Sequence, residues 1–174
     1  MNRTTLIAAA AFATSLLAAA PCRADAPPPL ITSDISGSDL DFFMGAARET
    51  ALITRMSEMA KRDAVTPEVQ SLAAIVAREQ GDAAARLKDL AAHKAVQLPE
   101  EPDGAGRKEL QTLGAMVGPR FDKSYLDALV EAQGSLDTSL QAGAASTDKD
   151  IKALAQKGQG TLKAERDQIR KLGM

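Results

Sequence analysis

Five side chains hold most of the chemistry this sequence could perform: Glu49, Glu79, Gln80, Gln133 and Glu165. Three of them fall where apolar residues are due. One run reads Val69, Ala73, Val76, Gln80, Ala83, Leu87, Leu90, in alternating steps of four and three. That spacing is the buried seam of a bundle helix, and Gln80 is its only polar member. A second run, Leu126, Leu129, Gln133, Leu136, Leu140, is interrupted once by Gln133. A third, Ile151, Leu154, Gly158, Leu162, Glu165, Ile169, Leu172, is interrupted by Glu165. Burying an unpaired amide costs about 1–3 kcal/mol, and an unpaired carboxylate costs more. Such groups must therefore meet one another, reach water or bind a ligand. Glu49, Glu79 and Glu165 could offer oxygens to a hard cation. The plainer reading is a polar layer of Gln80, Gln133 and Glu165 that fixes helix register.

Other chemistries are excluded by the residues themselves. A di-metal centre in a helical bundle draws on Glu-x-x-His pairs, and the chain has none. Its single histidine, His93, lies near a helix end, where an imidazole is usually solvated. No Ser/His/Asp arrangement can be built around it. No glycine-rich loop follows a strand, because no strand pattern is evident. Met44, Met56 and Met59 share one helix and read as core filler. No metal or other cofactor is expected, and catalysis is not.

The elements that carry these residues are helices. The first long helix is predicted from Ser38 to Arg62, with Ser38 as cap and Asp41 as its capping-box partner. Phe42, Phe43, Ala46, Ile53, Met56 and Ala60 form its apolar face. The second opens at Thr66-Pro67-Glu68, a cap, a first-turn proline and an acid suited to the helix dipole, and runs to about Lys94. A Pro/Gly-rich loop, "VQLPEEPDGAG", leads to a short helix, "RKELQTLGAMV". The third long helix spans Pro119 to Ala144. The fourth is capped by Thr147 and ends near Leu172. This predicts an all-α, antiparallel four-helix bundle with a short extra helix between helices two and three. If helices one and two pack antiparallel, Glu49 shares a level with Gln80. "GQG" at 158–160 is expected to kink the last helix.

The chain starts with a segment of a different kind. Arg3 precedes an apolar run from Leu6 to Ala20, followed by small residues and prolines, the layout of a signal peptide over residues 1–24. The run is about 15 residues, where a membrane span needs about 20. Cleavage is expected after Ala24, giving a periplasmic protein, with a Pro-rich tether over 25–37 and the bundle domain over 38–174. The alternative is a lipoprotein anchored at Cys22, against which Pro21 argues. The whole chain has 21 basic and 23 acidic residues; without Arg3 and Arg23 the balance falls to 19 against 23, a net charge of −4. That excludes a nucleic-acid partner and leaves no basic patch for anionic lipid. A protein partner in the envelope is expected, with a homo-oligomer as an alternative, and no transmembrane helix.

Three stretches, "DFFMGAA", "AAARLKDLAAHKAVQLP" and "FDKSYLDALV", resemble domain of unknown function 4142, a ferritin-like family common in bacterial exported proteins. Phe121, Asp122 and Tyr125 stand at its characteristic spacing. The resemblance covers about Asp39 to Leu172. It implies a four-helix bundle whose interior carries a His/carboxylate cluster. The family's Asp-His-Thr of helix two is Glu79-Gln80-Gly81 here, its helix-three His is Gln133, and its helix-four His falls at Glu165. Ile53 falls near the family's helix-one acid. The cluster is thus implied to be altered or lost. Gln is a neutral stand-in for His that neither titrates near neutrality nor binds transition metals well. The glycines beside the amides, Gly81 and Gly134, are expected to admit a neighbouring backbone.

Overall fold

The computed structural model describes residues 35–172. The predicted signal segment, Cys22 and most of the tether lie outside them. Among the described residues there are five helices and no strand: α1 (Gly37–Asp63), α2 (Pro67–His93), α3 (Gly104–Gly114), α4 (Pro119–Ala144) and α5 (Lys149–Lys171). The apolar stripes dictate how they pack. α1 lies against α2 and α4, and α5 lies against α4 and α2, which encloses one core. The short α3 covers α1 and α4 from outside. The chain is therefore an all-α helical bundle with an extra helix between its second and third long members.

Local chemistry sets the helix ends. α1 is capped by Ser36, whose hydroxyl accepts from Asp39 N at 3.1 Å, and not by Ser38. The stretch "SGSDLD" offers two Ser-x-x-Asp frames, and the earlier one is used. α3 starts earlier than predicted, because Asp103 accepts from Gly106 N at 2.9 Å and caps it. It also stops earlier, at Gly114. α5 is capped by Asp148, which accepts from Asp150 N and Ile151 N, in place of Thr147. Both amides go to Asp148 Oδ1, and Asp ranks above Thr as a helix cap. Gly118, at φ 66°, makes the left-handed turn that admits Pro119 as the first residue of α4. α5 passes through Gly158 and Gly160 as unbroken α-helix.

The ends of the helices are tied in two groups. Asp122, in the first turn of α4, accepts from Val65 N and Thr66 N, both at 2.9 Å, where α1 turns into α2. Thr66 makes no side-chain cap of its own; Asp122 instead clamps the turn that leads into α2. At the opposite end Lys94, just past α2, pairs with Asp148 at the start of α5. Ala95 there takes φ 54°, a left-handed C-cap position usually held by glycine. α1 and α4 approach closely at Gly45, against Ser139, and at Gly143, where a Cβ would lie 2.5 Å from the Phe42 ring. No helix among the described residues is long and apolar enough to cross a membrane.

Candidate functional site

The seam positions of α2, α4 and α5 face one another, so their single polar members meet. Glu165 is fully buried, and Gln80 and Gln133 are nearly or fully so. Gln80 Nε2 donates to both carboxylate oxygens of Glu165, at 3.0 and 3.1 Å. Gln133 Nε2 donates to Glu165 Oε2 at 2.8 Å. One carboxylate is thus held by two amides from two other helices. The neighbouring Arg166 turns away from it: its guanidinium donates to Gln133 O at 2.9 Å and pairs with Asp137 at 3.3 Å. Two buried oxygens, Gln133 Oε1 and Glu79 Oε2, have no hydrogen-bond partner.

The electrostatics follow from this arrangement. Burial pushes the Glu165 pKa up to about 7, the nearby Glu79 carboxylate adds to the rise, and the two amides and Arg166 oppose it. Burial also pushes the Tyr125 hydroxyl above its usual range, against its hydrogen bond to Ser57. Gln80 forms one wall of a cavity of about 40 Å³ between the helices. Phe42, Thr50, Leu136 and Leu140 line its interior, and Arg86, Lys157 and Thr161 stand at its outer side. Those last three also border an open groove between α2 and α5 that Glu79 shares.

Glu49 does not join the layer. It lies in a separate depression with Asp103, Glu109 and Glu131, between α1, α3 and α4. Partial burial raises its pKa, and the charge of Asp103 raises it further. The level predicted for helix one is right, since the next residue, Thr50, lines the same cavity as Gln80. The facing side is not. Among the described residues no group of three or more His, Cys, Asp or Glu side chains is gathered closely enough to hold a metal. The donor set of the layer does not fit a transition metal either. Both amides point N–H groups, not carbonyl oxygens, at the carboxylate, so they offer a cation no lone pair there. His93 is exposed in the last turn of α2.

Residues 24–172 match the family described as domain of unknown function (DUF4142). The chain belongs to the DUF4142 family. None of the curated proteins and none of the solved structures matches it. The stretch around Phe121, Asp122 and Tyr125, one of those that carry the resemblance, has a structural account in this member. Phe121 is in the core, Asp122 clamps the α1–α2 turn, and the Tyr125 hydroxyl bonds Ser57 of α1 at 2.9 Å inside the protein. All three fasten α4 to α1 and α2. Thr50, Ser57 and Arg166 were not singled out in the sequence. Only the buried-face spacing of Thr50 and Ser57, seven residues apart, could have marked the first two.

The glycines beside the amides need a different explanation from the one expected. A Cβ at Gly81 or Gly134 would meet nothing within 4 Å. Neither admits a close neighbour, and nothing in the structure explains them. Close approaches are made instead at other glycines, among them Gly45 against Ser139, Gly143 against Phe42 and Gly158 against Leu140.

Proposed function

We propose that this DUF4142 member is an exported, non-enzymatic bundle of the cell envelope with a structural or interaction role. Its interior layer sets helix register, and it stands where other members carry a His/carboxylate cluster. The observation that carries this reading is the Gln80–Glu165–Gln133 contact. A single carboxylate held by amide donors from two other helices is a device for fixing three helices. In this reading the chain is cleaved after Ala24 and released to the periplasm, with a Cys22 lipid anchor as the lesser alternative. Its bundle is antiparallel and ferritin-like. The joined helix ends support that sense, because α4 starts beside the start of α2 while α5 starts beside its end.

The test is metal content and ion-dependent melting of protein purified from the periplasmic fraction, assayed with iron, manganese, zinc, copper and calcium. The expected outcome is an apo protein whose melting is indifferent to every ion. Stoichiometric metal, or a melting rise that Glu165→Gln abolishes, would overturn the proposal.

A further inference from the structure

A buried carboxylate normally has a cation beside it or a proton on it. Glu165 has two neutral amides. Charged and titratable groups reach it from few directions. α2 brings Glu79, a like charge. α5 itself brings Arg166, already engaged with Asp137 and the Gln133 carbonyl. α4 brings Tyr125, which stays protonated and bound to Ser57. α1 brings only the neutral Thr50 and Ser57 to this region. No full counter-charge is dedicated to the carboxylate. Meanwhile Gln133 Oε1 is an acceptor without a donor, buried beside it. A proton on Glu165 would remove the uncompensated charge, and its O–H would give Gln133 Oε1 a donor once that amide turns over.

A proton also has a way in. The cavity walled by Gln80 is about 40 Å³, and a water needs roughly 10–15 Å³, so it has room for water. Thr50, Thr161, Lys157 and the Gln80 amide give such waters polar partners. Arg86, Lys157 and Thr161 border both this cavity and the outer α2–α5 groove. The carboxylate therefore lies one amide away from a hydratable passage to solvent.

We propose that Glu165 is a reversible proton-binding site reached through the α2–α5 seam, and that its protonation tightens the bundle. The inference rests on the polar layer being free of metal, as argued above. The direction follows from linkage. An acid whose folded pKa lies above its ordinary value of 4.5 stabilises the fold in its protonated form. The contribution is full below about pH 4.5 and is lost as the pH rises to about 7. Asp122, with its pKa lowered, acts below this window.

The experiment is a thermal melt of the purified protein in chelator from pH 4.5 to 8, with carboxyl carbon NMR of the same samples. The melting temperature is expected to fall by roughly 10 °C across the range. The Glu165 carboxyl should titrate near pH 7. Glu165→Gln should remove the slope and melt at pH 8 as the parent does at pH 5. Glu79→Gln should move the midpoint down while keeping the titration, and it serves if Glu165→Gln does not fold. A Glu165 midpoint at its ordinary value, or an unchanged slope in Glu165→Gln, would overturn the proposal. Either result leaves the register-fixing layer standing, whereas metal uptake in the absence of chelator would remove that layer's reading first.

Discussion

Removing the Asp122 carboxylate should weaken the bundle far from its core. Asp122 is 6% exposed and holds two backbone N–H groups, Val65 and Thr66, at 2.9 Å. Hydrogen bonds to a charged acceptor contribute about 1.5–3 kcal/mol each. Val65 and Thr66 are exposed residues, so water can take over part of their demand once the acceptor is gone. The lower end of the range applies, giving about 3 kcal/mol for Asp122→Ala. Asp122→Asn keeps one acceptor oxygen and should lose about half as much. Acid provides a second axis. Burial opposes ionisation of Asp122, but the hydrogen bonds from Thr66 and Val65 outweigh it and hold the pKa below the ordinary 3.8. A depressed pKa stabilises the fold above the unfolded value and loses that contribution as the pH falls through the folded one. The deficit of Asp122→Asn should therefore be full at pH 7 and narrow below about pH 3.8. Urea unfolding followed by far-UV circular dichroism from pH 7 to pH 3 measures both. Variants within about 0.5 kcal/mol of the parent at pH 7 would refute the clamp, as would a deficit that does not change with acid.

Two further predictions concern backbone fit and the α1–α4 tie. Gly81→Ala and Gly134→Ala should each raise stability by up to about 1 kcal/mol in urea titrations, since the added Cβ meets open space. Gly143→Ala should cost about 1–3 kcal/mol by collision with Phe42, and Ala95→Gly should gain up to about 1 kcal/mol by relieving φ 54°. Tyr125→Phe strands the Ser57 hydroxyl and should cost about 1–2 kcal/mol. Adding Ser57→Ala should then cost less than the sum of the single changes, measured as a double-mutant cycle.

Much of this was legible in the chain, and the rest failed for identifiable reasons. The seam spacing located Gln80, Gln133 and Glu165 because heptad-like steps report which residues share a face, and the three faces do converge. The turn at 63–65 gave the level of α1 correctly. It could not give the azimuth: α1 has neighbours on three sides, α2, α3 and α4, so most of its circumference is covered. Glu49 turned toward α3 while Thr50 took the place facing Gln80. The caps at Ser36 and Asp148 were missed by one or two residues because adjacent polar residues offer equivalent frames. The clamp at Asp122 was beyond local reading, since its partners lie 56 and 57 residues away. The open space at Gly81 and Gly134 depends on the far side of the helix, which periodicity does not describe.

The layer also orders the assembly of the chain in time. Gln80 and Gln133 are made before residue 165, and their amides share an acceptor that arrives only with the last helix. Until α5 docks, both amides stand at the face that α5 covers, without the carboxylate they share. The final helix is the element that completes the layer.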